Sequence, residues 1–370
     1  MKKLFFLLLA FVQISNAQEL ALVRKDGKFG YISQKGDFAI QPKFKTAKNF
    51  SDGLAAAEEN GKWGFINPKG DWVIPATFDD AKYFDSGICM VSKDKKWVYI
   101  NKKGEVQKAP ETDKLFDFEG GVAFFRQGKK VGLIGPKMNV VLEPKYDMIK
   151  PFEDGFARVK NNDRWGIIDK AGKVVVEIIY DEVGNYFKNV TWAKNGSAFG
   201  LVIAGKFKAI DDVEKIWDFH TQDMTYAKKA GKIGFIDLKG NWAIEPKFDK
   251  ARSFSKNLAP VCVGSKWGYI NTKGTMVIEP QFKDAEIFSA EGLAPIKDKN
   301  WGFINESGKI VIPTQYGITA GGVFAMFKDE QKGFINGVAR VKSGSQWGFL
   351  KPDGTTLGKQ WYDNAEPFSK

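Results

Sequence analysis

The sequence predicts an all-β fold: a tandem array of ten repeats of about 34 residues, each with three short strands. Three observations predict it: an aromatic-glycine pair returning at one fixed spacing, short aliphatic segments divided by turn residues, and no stretch with helical periodicity. Phe29-Gly30, Trp63-Gly64, Trp97-Val98, Val131-Gly132, Trp165-Gly166, Phe199-Gly200, Ile233-Gly234, Trp267-Gly268 and Trp301-Gly302 follow one another at intervals of 34 residues. The last pair, Trp347-Gly348, comes 46 residues later, one period plus 12. The repeats start near residues 19, 53, 87, 121, 155, 189, 223, 257, 291 and 337, with an insertion at about 317–333. Such a period marks an array over residues 18–370 in place of unlike domains.

Within a repeat the first strand carries a small residue at one slot, for example Ala21, Ala55, Cys89, Ala123 or Ala157. A tight hairpin, Asp26-Gly27 or Asn60-Gly61, leads to the anchor. Three residues past the anchor stands an aliphatic residue (Ile32, Ile66, Ile100, Ile134), completing a short buried strand. Asn67-Pro68-Lys69-Gly70 has the residues of a type I turn, although Met138 and Lys206 replace its glycine in two repeats. A third strand such as Trp72-Val73-Ile74 stops at a proline, which lacks the N–H that a ladder needs. The remainder, often Ala-x-x-Phe as in Ala47 to Phe50 and Ala251 to Phe254, reads as a non-strand connection. The anchors Trp63, Trp97, Trp165, Trp267, Trp301 and Trp347 read as core. The glycines beside them (Gly64, Gly166, Gly268, Gly302, Gly348) read as points where a neighbouring backbone or ring comes close.

Trp63 to Pro75, Gly53 to Ala57, Trp267 to Pro280 and Trp301 to Pro313 spell Trp-Gly-[Phe/Tyr]-Ile-Asn-x-x-Gly, then [Val/Ile]-Ile-x-Pro-x-Phe, then Gly-Leu-Ala. This pattern resembles the WG-repeat (KWG-repeat) family. The resemblance implies a β-rich tandem repeat without catalytic residues, its activity unassigned. The repeats anchored at Val131 and Phe199 depart furthest from the pattern.

An open solenoid or superhelix is favoured over a closed propeller-like ring. Propeller blades usually take about 40–45 residues and four strands, in rings of about four to eight. Here the units are shorter and more numerous. The chain also ends on a whole repeat, leaving no strand to close a ring.

Composition bounds the function. The chain has 370 residues, 43% hydrophobic and 27% charged, enough for a large core and unlike a disordered chain. Lys2, Lys3, the apolar run Leu4 to Val12, and Ser15 with Ala17 read as a signal peptide over residues 1–17. The expectation is export, with no membrane span after cleavage. Two cysteines and one histidine leave little for metal or nucleophilic chemistry, so no cofactor and no enzyme are expected.

His220 falls near the slot held elsewhere by Phe50, Phe84 and Phe254 and reads as a core ring. Cys89 and Cys262 lie five repeats apart and read as free thiols; a bridge between them would argue for a ring. The Glu-Pro carboxylates (Glu143, Glu245, Glu279) read as caps or as partners of Lys145 and Lys247. Two rows of cations, Lys28, Lys62, Lys96, Lys130, Arg164, Lys232 and Lys266 before the anchors and Lys35, Lys69 and Lys103 among the turns, read as protected edges or a cationic face. Trp192, Trp217 and Trp361 stand off the anchor slot and are glycan candidates. Phe324 and Phe327 mark an apolar stretch of the insertion that could contact a partner. The expected function is a non-catalytic scaffold for an unidentified protein partner. The alternative is a module for an anionic glycan or polymer, using the lysine rows and off-slot tryptophans. No readout motif favours nucleic acid.

Overall fold

The computed structural model describes residues 19–220, 222–317 and 332–370. The leader and the two insertion phenylalanines, Phe324 and Phe327, lie outside these residues.

Each sheet has four strands where the repeat suggested three. Around Trp63, strands Leu54–Glu59, Lys62–Ile66 and Trp72–Phe78 form the predicted meander, in register Ala57↔Gly64 and Phe65↔Ile74. The extra strand, Ala47–Ser51, is the Ala-x-x-Phe segment, and it pairs with Leu54–Glu59. Elsewhere it shrinks to two residues, as at Asp80–Ala81 and Lys250–Ala251, too short for strand propensity to register. This segment ends one repeat in sequence but begins the next sheet in space. Repeat and sheet are therefore out of phase by one strand.

That phase closes the ring. The last strand, Asn364–Ser369, pairs with Leu20–Lys25 of the first sheet, in register Leu20↔Ser369, Ala21↔Phe368, Val23↔Ala365 and Arg24↔Asn364. The result is nine four-stranded antiparallel sheets and one three-stranded sheet in a ring, a ten-bladed β-propeller. The open solenoid is thereby corrected. Ending on a whole repeat is what supplies the closing strand, because the repeat's last strand always belongs to the following blade. Blades are numbered here by their anchors, from blade 1 (Phe29) to blade 10 (Trp347).

The same contacts join every pair of neighbours, and the closure reuses them. An aromatic from the third strand of one blade meets one from the first strand of the next: Tyr31 with Phe50 at 4.8 Å, Phe65 with Phe84 at 4.7 Å, Phe235 with Phe254 at 4.8 Å. Phe349 meets Phe368 across the closure at 5.1 Å. Such pairs add about 0.5–1.5 kcal/mol each beyond the area they bury. An aspartate 16 residues past the anchor also reaches forward. Asp147 accepts the Asn162 N–H at 2.8 Å and Asp249 the Gly264 N–H at 2.7 Å; Asp363 accepts the Gly27 N–H of blade 1 at 3.2 Å.

Blade 10 departs from the plan. Its strands are Phe334–Ile335, Val338–Ser343 and Gln346–Leu350. The fourth is reduced to the bridges Leu350↔Thr356 and Trp347↔Tyr362 around a 3-10 helix, Leu357–Lys359. Gly317↔Lys342 and Phe334↔Ala339 pair with one strand, so the insertion divides the first strand of this blade.

The glycine after the anchor has a clear cause. A Cβ on Gly64 would stand 2.5 Å from the Ile74 carbonyl oxygen and 2.6 Å from the Ala76 nitrogen. The fourth strand bulges at its proline and rides directly over the glycine. The contact is with the blade's own backbone. Blade 3 has Val98 instead, and its fourth strand shortens to Val106–Gln107.

His220 is exposed. Phe219, one residue earlier, takes the buried slot and stacks on Phe187 at 6.3 Å. Cys89 and Cys262 are free, buried thiols in blades 3 and 8, and burial pushes both up. The ring thus closes without the bridge that sequence reasoning tied to closure.

Candidate functional site: the inner rim and an interblade groove

The first strands lie nearest the axis. Only there can charges act across an intervening blade, as Asp117 of blade 4 does with Lys48 of blade 2, and Glu366 of blade 1 with Tyr83 of blade 3. Adjacent first strands are also bonded directly: Ser51 Oγ donates to the Phe84 carbonyl and Ser255 Oγ to the Phe288 carbonyl, both at 2.6 Å.

A cation on each of several first strands covers that blade's anchor ring. Lys48 lies 4.9 Å above Trp63, Lys82 5.2 Å above Trp97, Lys150 6.0 Å above Trp165 and Arg252 4.5 Å above Trp267. Trp301 is covered by Lys297 and Lys332, Trp347 by Arg340 and Lys342. The anchors are not uniformly core: Trp267 and Trp301 are buried, Trp63, Trp165 and Trp347 half-buried, and Trp97 is 37% exposed.

Where the anchor is aliphatic, the aromatic moves to the first strand. Blade 4 pairs Val131 with Phe116 under Lys114 at 4.9 Å; blade 7 pairs Ile233 with Trp217 under Lys215 at 4.6 Å. In blade 6 the first-strand slot is Gly184, and Trp192 fills it from the second strand. A Cβ on Gly184 would lie 2.1 Å from the indole nitrogen. That nitrogen donates to Asp218 at 2.6 Å, and Asp218 also accepts the Asn185 N–H at 2.8 Å. Trp361 covers Gly348 and stacks on Tyr316 at 6.4 Å. Of the three off-slot tryptophans, Trp217 lines an open groove.

That groove, about 610 Å³, lies between blades 7 and 8, with Lys283 and Asp284 of blade 9 at its edge. Trp217 stacks on Tyr226 at 4.8 Å with 27° between their planes. Ile233, Arg252 and Trp267 form the rest of the wall, with Lys228, Asp249 and Lys250. Arg252 pairs with Asp284 at 2.8 Å and Glu286 at 3.2 Å. Asp249 accepts from Lys232 at 2.6 Å and from the Gly264 N–H, bonds that hold its carboxyl below the usual range. A second groove of about 550 Å³ occupies the equivalent place between blades 3 and 4, lined by Lys82, Met90, Trp97, Phe116 and Asp117. Burial raises the Asp117 carboxyl, against the pull of Lys82 and Lys48.

The lysine rows have distinct fates. Lys62, Lys130, Arg164 and Lys232, before their anchors, pair with Asp79, Asp147, Asp181 and Asp249. Their signal in the sequence was a recurring Asp just past the aromatic that ends the fourth strand. The turn lysines, such as Lys69 and Lys273, are exposed, while Asn67 and Asn271 cap those turns by accepting backbone N–H groups. The Glu-Pro carboxylates stand exposed. Lys145 and Lys247 lie instead over Tyr146 and Phe248, at 5.2 and 5.3 Å. Among the described residues, no three His, Cys, Asp or Glu side chains gather to hold a metal ion.

Eight segments match the family model described as WG containing repeat: residues 29–63, 63–97, 99–130, 132–165, 165–197, 233–267, 267–300 and 301–317. They cover most of the chain, which belongs to this family. The unmatched stretch 198–232 holds Trp217 and Tyr226. No curated protein matches the sequence. Among solved structures, a eukaryotic initiation factor is similar at 10% identity and a TM-score of 0.45, over 96% of this chain and 98% of that one. The extracellular domain of a hybrid two component system from B. thetaiotaomicron is similar at 9% identity and a TM-score of 0.31, over 92% and 60%. The N-terminal domain of Nup159 is similar at 11% identity and a TM-score of 0.32, over 68% and 90%. Likenesses this loose carry no argument about function. No helix of the described residues is long and apolar enough to cross a membrane.

Proposed function

We propose that this WG-repeat propeller is an exported, non-catalytic scaffold that binds a protein partner at its inner rim. The observation that supports the reading is the rim itself: cation-over-indole pairs recur on blades 2, 3, 5 and 8. Such pairs offer a partner apolar faces and charges in one place, the composition of interaction hot spots. The expected partner surface is acidic and aromatic. Export rests on the leader pattern of residues 1–17.

The test is a pull-down from the envelope extract of the source organism, with residues 18–370 as bait and elution in rising salt. A stoichiometric protein partner, lost when Lys48, Lys82 and Lys150 are changed together to Ala, supports the reading. An empty eluate, or equal capture by the triple variant, refutes it. Sequencing the N-terminus of the exported product tests the leader: it should begin at Gln18.

A further inference from the structure

We propose that the groove between blades 7 and 8 binds an acidic sugar, a uronate-type residue of an anionic glycan. The proposal goes beyond the protein-binding rim and rests on other residues. The cleft exists because Ile233 stands where other blades place a tryptophan. Its volume, about 610 Å³, falls inside the roughly 300–1,000 Å³ of small-molecule clefts.

Its charges select the ligand. Asp249 and Asp284, the carboxylates of the wall, are neutralised by Lys232 and Arg252. Lys250 and Lys283 are exposed, line the groove, and have no ion-pair partner among the described residues. The site is therefore electropositive toward whatever enters, which favours an anion.

The aromatic pair selects a ring. Trp217 and Tyr226 present a stacked wall, and the exposed Lys215 ammonium rests on the indole. An exposed cation on a ring is held weakly. A pyranose sliding onto the indole displaces it, and the freed ammonium meets the sugar's carboxylate. A uronate satisfies both demands at once, because its C–H face stacks on indole while its carboxylate pairs with lysine. A neutral sugar meets the first demand only, and an acidic peptide the second only.

Calorimetric titration of the full chain tests the proposal with three probes: trigalacturonate, neutral galactotriose and triglutamate. Trigalacturonate should bind, and the other two should bind at least about tenfold more weakly. The double variant Lys250→Gln/Lys283→Gln should lose about tenfold or more, as expected when charged hydrogen bonds are removed. Raising salt from about 50 to about 300 mM should weaken wild-type binding, since exposed charges are screened within a Debye length. Trp217→Leu should abolish binding; if that variant does not fold, the lysine pair, both exposed, decides the matter. No binding of trigalacturonate, equal affinity in the double variant, or equal binding of triglutamate overturns the proposal. None of these outcomes bears on the pull-down, which depends on Lys48, Lys82 and Lys150.

Discussion

Replacing Gly64 with Ala adds one methyl group at the most crowded point of blade 2. The new Cβ would lie 2.5 Å from the Ile74 oxygen, 2.6 Å from the Ala76 nitrogen and 2.7 Å from the Pro75 carbonyl carbon. All three are backbone atoms, so no rotamer change relieves the contact and the fourth strand must move outward. Overpacking of this kind costs about 1–3 kcal/mol. Pulling the strand away also weakens the Phe65↔Ile74 pairing, about 1 kcal/mol for one hydrogen bond. The sum is about 2–4 kcal/mol. The loss stays local, because in a repeat array each unit touches only its neighbours. Blade 3 shows where the chain goes when the methyl groups are already present: with Val98 in the slot, its fourth strand keeps only two residues. Gly64→Ala should therefore turn Trp72–Phe78 into a similarly shortened strand. Hydrogen exchange read by mass spectrometry is the assay, with Gly61→Ala as control. Gly61 has open space around it and pays only for its positive φ of 78°, about 1–2 kcal/mol. Exchange in residues 72–78 should quicken in Gly64→Ala and stay near wild type in Gly61→Ala. Unchanged protection in the first variant would refute the steric account of the repeated glycine.

Three further outcomes are expected. Deleting residues 364–370 removes four paired positions of blade 1, roughly 2–6 kcal/mol of net hydrogen bonding, and should raise the radius of gyration in small-angle scattering; an unchanged radius and melting temperature would remove the case for closure. Trp192→Phe deletes the indole donor to Asp218 and should cost about 1.5–3 kcal/mol in urea unfolding, with wild-type stability as the contrary result. Burial pushes Tyr83, Tyr99 and Tyr362 up to about 12 from the ordinary 10.0, so the folded ring keeps protons that the unfolded chain releases first. Their contribution is complete below pH 10 and lost as pH rises toward 12; a melting temperature flat over that span would contradict it.

The period, the glycine turns and three of the four strands were legible because each is written in phase in almost every repeat. The fourth strand was not. Asp80–Ala81 pairs over two residues, and what holds it is packing of Phe84 on Phe65 of the previous blade, a contact that no local pattern records. Closure followed from that omission: Asp363 stands at the same offset from Trp347 as Asp249 does from Ile233, but its partner, Gly27, lies 336 residues away. The exposed His220 shows the limit of counting slots, since one residue of slippage near Phe219 exchanges core for solvent. The groove was half legible. Trp217 stood out as off-slot, yet nothing local revealed that it compensates for Ile233 while Trp192 makes good the missing side chain of Gly184.

The one-strand offset between repeat and blade bears on how such a ring can change size. A duplication that copies 34 residues, wherever its breakpoints fall, carries the final strand of one sheet and the opening strands of another. It therefore adds one complete wedge, and the chain's last segment still returns to Leu20–Lys25. Loss of one unit removes one wedge by the same logic. Seam and wedges are thus independent under recombination, and the number of units can drift while the two ends of the chain stay side by side.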